Sequence, residues 1–282
     1  MLPIYEVTRV LPIEIDLTGR IGDPALNLLE RVFPLRGIVD VRGEIKIDSS
    51  KKNERLLFYF FYNVLRCYRN SPLFRYMEGR LRKNDLFLDI GANLGIYSYL
   101  AKEMGYKVYL FEPEPNHFAF LKRNIHIFDR VFDVALSNDE GESDFYVGND
   151  THLTSSSLVM SNRGWKDSVY SHIIKVRTQK LDRIVIDTET ISQIKLIKVD
   201  VEGAEQAVVE GMEDLLKRNR IDIWCEVRGE QSDRNPGSYK KVLSFLKPLG
   251  YQPYIYDGIS VQRFSQKDIQ QVFDILFVQE TG

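Results

Sequence analysis

The stretch Leu86-Phe87-Leu88-Asp89-Ile90-Gly91-Ala92-Asn93-Leu94-Gly95 constrains this chain more than any other. An apolar run of strand length ends in an acidic residue and a pair of glycines, and the segment Ile96 to Met104 that follows has the apolar spacing of a helix. Strand, tight turn and helix in that order make a ligand site. Glycine lets backbone approach a ligand closely, and the start of the helix presents unpaired N–H groups. Gly91 and Gly95 are spaced G-x-x-x-G rather than the G-x-G-x-x-G of a dinucleotide turn, and Asp89 sits where a pyrophosphate would be repelled. An acidic strand end suits a cationic ligand. The bland alternative is a tight turn whose glycines serve packing alone.

The segments around this turn set the fold class. Lys107 to Glu112 reads as a second strand, Asn116 to Ile125 as a helix and Val131 to Leu136 as a third strand, which is a βαβαβ order and hence a parallel sheet with right-handed crossovers. Ile194 to Asp200 resumes the sheet, Gln206 to Arg218 reads as a helix, and Ile221 to Val227 as another strand. Tyr239 to Leu249 reads as a helix stopped by Gly250, before strands near Tyr251 to Tyr256 and Val272 to Val278. The polar segment 137–184 interrupts this order and reads as an antiparallel insertion. Upstream, Ile13 to Leu17 and Glu44 to Asp48 alternate as short strands, and Pro24 to Phe33 as a helix with Asp23 as its N-cap. The domain organisation expected is therefore a strand and helix extension at 1–80 and a main domain at 81–282 carrying the insertion.

The aromatic run Asn53 to Tyr68 has too few apolar residues for a spanning helix of about 20 and is interrupted by Asn63 and Arg66. It reads as core packing, with a lid or homodimer surface as the alternative. A formal net charge of −2 offers no global attraction to nucleic acid, so no DNA partner is expected. Cys67 and Cys225 are too few for a disulfide framework, and Met1 to Arg20 does not resemble a secretory signal, so a cytoplasmic location is expected.

Two acidic strand ends carry the chemistry. Glu112 ends the second strand at the interval where a carboxylate reads a ribose diol, and Pro113 and Pro115 stiffen the turn beneath it. A glycine turn, two acidic ends and no phosphate-binding lysine fit S-adenosylmethionine, whose sulfonium and ammonium are cationic. The amino acid moiety is expected near Asp89, Gly91, Ala92, Asn93 and Gly95, the ribose at Glu112 and Pro113, and the adenine near Asp133, Val134 and Ala135. In Leu196 to Glu205 (LIKVDVEGAE), alternation puts Lys198, Asp200 and Glu202 on one side of an ending strand, beside the crevice. Asp200, and after it Glu202, is the expected base for an acceptor hydroxyl. Capping of the next helix by Glu202 and Glu205 is the structural alternative. No metal is assigned; a divalent ion on Asp200, Glu202 and Glu226 is the other route to an acceptor diol. His152 and His172 are secondary candidate bases, and Trp165, Tyr146 and Tyr170 are candidates for stacking on a sugar.

These motifs together resemble the FkbM family of S-adenosylmethionine-dependent methyltransferases. The matches are FLDIGANLG at Phe87 to Gly95, FEPEP at Phe111 to Pro115, LKRN at Leu121 to Asn124, SSSL at Ser155 to Leu158, LD at Leu181 to Asp182, and IKVDVEGAE at Ile197 to Glu205 with Gly211 beyond. They span about residues 80 to 280. The resemblance implies a Rossmann-like class I methyltransferase fold, with a seven-stranded, mostly parallel sheet and helices on both faces. It also implies S-adenosylmethionine as cofactor, S-adenosylhomocysteine as product and a hydroxyl of a sugar, glycan or small molecule as acceptor. RNA ribose or protein methylation and a non-catalytic binding scaffold are the rival readings. An adenine-amine methyltransferase would carry an N/D-P-P-Y/F motif where this chain has Asp200-Val201-Glu202-Gly203.

Overall fold

The computed structural model describes residues 38–41, 45–51, 54, 65, 68–148, 156–160, 170–184, 187–232, 234–265, 269 and 272–280. The expected strand at Ile13 to Leu17, the helix at Pro24 to Phe33, most of the aromatic run, Cys67, His152 and Trp165 lie outside these residues. Strands β1 (Ile38–Val41) and β2 (Ile45–Asp48) pair as an antiparallel hairpin. Helix α1 (Pro72–Arg80) starts at Ser71, whose side chain accepts from Phe74 N, with Pro72 at the first helical position where its missing N–H costs nothing. Its buried Leu73, Phe74 and Met77 recur at helical spacing and face the sheet.

The central layer follows: β3 (Leu86–Ile90), α2 (Ile96–Glu103), β4 (Lys107–Phe111), α3 (Pro115–Arg123) and β5 (Arg130–Phe132). The third strand expected at Val131 to Leu136 is two elements. The chain leaves the large sheet at Asp133, and β6 (Ala135–Leu136) joins β7 (Gly141–Gly148) and β8 (Tyr170–Gln179) in a separate three-stranded sheet ordered β6-β8-β7. β7 and β8 pair antiparallel, as expected of the insertion. Helix α4 (Thr188–Gln193) and β9 (Ile194–Val199) return the chain to the large sheet.

Next come α5 (Glu205–Glu210) and α6 (Glu213–Arg218). The single helix expected over Gln206 to Arg218 is broken at Gly211, where a Cβ would lie 2.1 Å from the Ser137 carbonyl oxygen, so backbone from the insertion occupies the space a side chain would take. β10 (Asp222–Arg228), α7 (Ser238–Leu246), β11 (Tyr251–Tyr256), β12 (Val261–Arg263) and β13 (Val272–Gln279) complete the fold.

The large sheet has eight strands rather than seven, in the order β12-β11-β13-β10-β9-β3-β4-β5. The five strands from β10 to β5 pair parallel, and β13, β11 and β12 add antiparallel. The extra strand is the three-residue β12 at the edge. Alternation distributes the core over both faces: Phe87, Val108, Leu110, Leu196 and Trp224 pack with α1, α2 and α3, while Leu88, Phe111, Ile197, Ile223 and Cys225 pack with α5, α6 and α7. A fully buried Phe87 or Ile197 contributes about 1.5–3 kcal/mol. Strands β3, β4 and β5 extend one way from β3, and β9 and β10 the other, so the sheet's switch point lies between β3 and β9. That is where a doubly wound sheet opens a crevice. Among the described residues no helix is long and apolar enough to cross a membrane.

Candidate functional site

The crevice at the ends of β3 and β9 joins the two acidic motifs. Ile90 pairs with Val199, and Asp200 N donates to Ile90 O (3.1 Å), which sets Gly91 directly against Asp200. Gly91 N and Ala92 N both donate to Phe111 O, so the turn is also fastened to the end of β4. The missing Cβ of Gly91 would lie 1.9 Å from Asp200 O, and that of Gly95 2.8 Å from a Leu121 methyl. On the side where a Cβ would stand, both glycines make room for protein. Both are in the left-handed region, at φ +76° and +71°.

Asp89 is buried, and its Oδ2 accepts from Ser98 Oγ (2.8 Å). Its Oδ1 faces Lys198 Nζ at 3.3 Å but receives no hydrogen bond. Asn93, left-handed at φ +53°, donates its N–H to Glu112 Oε2 (2.7 Å), and Glu112 Oε1 accepts from Glu114 N (2.9 Å). The carboxylate that ends β4 is thus held from both sides, with two of roughly four lone-pair positions left over. Pro113 follows it at partial exposure. Ala135, expected near the adenine, belongs to the small sheet. It is 5% exposed and packs with Phe145, Val147 and Val176 in the small sheet's core, because the chain has already changed sheets.

The second half of the site is a charged row on one face of β9 and β10. Lys198 Nζ is buried, 3.3 Å from both Asp89 Oδ1 and Asp200 Oδ2, and donates to Gly91 O. Burial disfavours its charge, but Asp200 and then Asp89 outweigh that and raise its pKa, so the ammonium stays protonated. One carboxylate oxygen each of Asp200, Glu202 and Glu226 can be chosen so that all three lie within 4.8 Å of one another. Arg228 Nη2 bridges Glu202 Oε2 (2.6 Å) and Glu226 Oε1 (2.8 Å), and Arg234 Nη1 makes a second contact to Glu202 Oε2 (2.9 Å). Burial, opposed in part by Arg228, raises the Glu202 pKa; burial and then Asp200 raise that of Glu226 well above the usual range. Asp274 on β13 stands opposite Glu226 in the register.

Glu205, in the first turn of α5, is fully buried, and its Oε1 accepts from Gly203 N (2.7 Å); burial pushes it up to about 7. Glu202 is itself strained, at φ +60°, in a region unfavourable to a side chain. Contacts from two loops hold it there. Ser157, from the serine motif of the insertion, donates to Val201 O (3.2 Å) or Glu202 O (2.9 Å), Arg234 reaches Glu202 O (3.4 Å), and Asn235 Nδ2 donates to Gly203 O (2.7 Å). Tyr170 belongs to the same latch: its hydroxyl accepts from Arg234 Nε (3.2 Å), and the guanidinium covers its ring. At 4% exposure it cannot offer that face to a sugar, contrary to expectation. Tyr146 packs against it at 5.4 Å between ring centroids. His172 is exposed and bonded to Ser171 Oγ.

Arg228 and Arg234 were missed from the sequence. The period-2 alternation that puts Glu226 beside Asp200 also puts Arg228 on that face, so one of the pair had a readable signal. Arg234 lies in a loop with none.

Five parallel strands flanked by helices, with an acid at the ends of β3 and β4 and a carboxylate cluster across the switch point, define an α/β methyltransferase architecture. The sequence profile described as Methyltransferase FkbM domain matches residues 89–253, and the chain belongs to this family of S-adenosylmethionine-dependent methyltransferases. It is similar to the 2-O-methyltransferase NoeI of Sinorhizobium fredii (strain NBRC 101917 / NGR234), at 32% identity over 185 residues, covering 61% of this chain and 75% of that protein. The 31-O-demethyl-FK506 methyltransferase FkbM of Streptomyces tacrolimicus is 27% identical over 212 residues, 66% of this chain and 77% of that protein. Among solved structures, Methyltransferase FkbM from Methylobacillus flagellatus KT aligns with a TM-score of 0.43 and 14% identity, over 90% of this chain and 58% of its own length.

Proposed function

We propose that the chain methylates a hydroxyl of a sugar, glycan or small-molecule natural product, with Asp200 as the proton acceptor. The observation that carries this is the junction of Gly91 and Asp200, which sets the candidate base against the cofactor turn. The residues present fit the cofactor. The Asp89 carboxylate makes the end of β3 acidic, with its Oδ1 already facing the Lys198 ammonium at 3.3 Å, and Glu112 keeps free acceptor positions for a ribose diol. Gly91, Ala92, Asn93 and Gly95 form the turn between them.

When bound at this turn, S-adenosylmethionine would supply a sulfonium-borne methyl for in-line transfer to an acceptor oxygen, the C–S electron pair leaving with the sulfur. Asp200 takes the hydroxyl proton, and Lys198 and the Gly91 turn fix where its carboxylate stands. Glu202, held by two guanidinium groups, is assigned to orienting the acceptor rather than to proton transfer. The relatives named above are called O-methyltransferases or named for an O-demethyl substrate, which supports the same reading. The crowd of carboxylates at Asp200, Glu202, Glu226 and Asp274 favours an uncharged hydroxyl compound over RNA, whose phosphates it would repel.

Calorimetric titration is expected to give S-adenosylmethionine and S-adenosylhomocysteine affinities on the order of micromolar, near −8 kcal/mol, and no heat from NAD. Absence of binding by both sulfur compounds would overturn the cofactor assignment. Turnover is expected to survive EDTA, because the Arg228 guanidinium already bridges two of the three clustered carboxylates. Loss of activity restored by Mg²⁺ would instead put a divalent ion on Asp200, Glu202 and Glu226.

A further inference from the structure

A buried histidine lies behind the ribose-reading carboxylate, and nothing in the catalytic scheme uses it. His117, in the first turn of α3, is 5% exposed, with Nδ1 3.8 Å from Glu112 Oε1 and 3.6 Å from Glu114 Oε2. Glu112 and Glu114 are equally buried. Glu114 is already the N-cap of α3, accepting from His117 N (2.7 Å) and from Asn116 Nδ2 (2.9 Å). The next acid facing the pocket, Glu54, has a cation of its own in Arg123 Nη2 (2.6 Å) and also accepts from Asp48 N. Among the described residues that leaves two buried carboxylates, Glu112 and Glu114, with the His117 ring between them.

We propose that His117 is a positioning residue which, as an imidazolium, holds the Glu112 carboxylate aimed at the cofactor ribose, so that cofactor binding is linked to one proton on this ring. This rests on the assignment of Glu112 to the ribose. Two carboxylates this buried repel each other, and an imidazolium between them offsets that repulsion. When the ring loses its proton that offset is lost, and a Glu112 no longer drawn to the ring turns from the position in which it accepts from two hydroxyls. Burial alone would lower the His117 pKa; Glu112, then Glu114 and Glu54, outweigh it and raise the value above that of a free imidazole. With the folded value raised, the stabilisation is fully present below the unfolded value of about 6.5 and is lost as pH rises through the folded value. Cofactor affinity follows the same sign. By reciprocity the bound cofactor must raise the His117 pKa further.

The test is calorimetric titration with S-adenosylhomocysteine across pH 6 to 9, on the full chain and on His117→Gln, with Glu112→Gln as control. Wild-type affinity is expected to fall about tenfold across the alkaline limb, within the usual range of such couplings. His117→Gln is expected to bind more weakly at the acid end and to show no such limb. A flat wild-type profile, or the same limb in His117→Gln, would overturn the proposal. Unchanged affinity in Glu112→Gln would instead remove the ribose assignment, and the linkage with it. The unaltered protein gives an independent reading through NMR titration of its ring, assigned by replacing His126, His152 and His172 one at a time. A His117 pKa that rises on adding S-adenosylhomocysteine supports the linkage, and one that does not move overturns it.

Discussion

Asp200→Asn is expected to cut methyl transfer by about 10²- to 10⁴-fold, the range for removal of a general base, while leaving S-adenosylhomocysteine affinity within about twofold of wild type. The asparagine keeps the shape of the side chain, and the contact that sets position 200 against the cofactor turn is made by backbone, Asp200 N to Ile90 O. What is lost is a proton acceptor and the partner of Lys198 at 3.3 Å. The two losses separate in a double variant. If Asp200 served only to neutralise the buried ammonium, Asp200→Asn combined with Lys198→Met would recover turnover. No recovery is expected, because the acceptor's proton still has no base beside the turn. Full turnover by Asp200→Asn alone would remove this residue from the chemistry and leave Glu202 as the carboxylate to test.

Much of this arrangement was legible in the residues because its signals are local. Apolar runs ending in Asp89, Glu112 and Asp200 announce strands of a parallel sheet with acids at the same end, and the glycine turn locates the crevice. Features that depend on contacts far apart in the chain were not legible. The run from Val131 to Leu136 carries one continuous strand pattern, yet it changes sheets at Asp133, and Ala135 packs in the small sheet's core. Tyr170 had the composition of a stacking platform until Arg234, 64 residues away, closed over its ring. The eighth strand is three residues long and has too little pattern to be seen. His117 reads as an ordinary residue of an amphipathic helix; only the fold shows two buried carboxylates converging on it.

Gly91→Ala is expected to be among the most damaging single substitutions in the chain, lowering stability by about 4 kcal/mol or more. Two separate penalties coincide there. At φ +76° an alanine costs about 1–2 kcal/mol in backbone strain alone. The larger part is steric, since the new Cβ would stand 1.9 Å from the Asp200 carbonyl oxygen, and that oxygen is backbone pinned by Asp200 N to Ile90 O. Relief requires the ends of β3 and β9 to part, which would separate the cofactor turn from the candidate base in the same movement. Gly95→Ala provides the comparison. It has a similar φ of +71°, but its Cβ would meet the ends of Leu121 and Leu110 side chains at 2.8 and 3.1 Å, which can turn aside. Its expected loss is about 1–2 kcal/mol, the strain term with little added. Denaturant unfolding of the two variants separates the causes. A Gly91→Ala protein no less stable than Gly95→Ala, still binding S-adenosylhomocysteine, would mean that the contact between the two acidic motifs yields easily, and the junction proposed to place Asp200 would lose its rigidity.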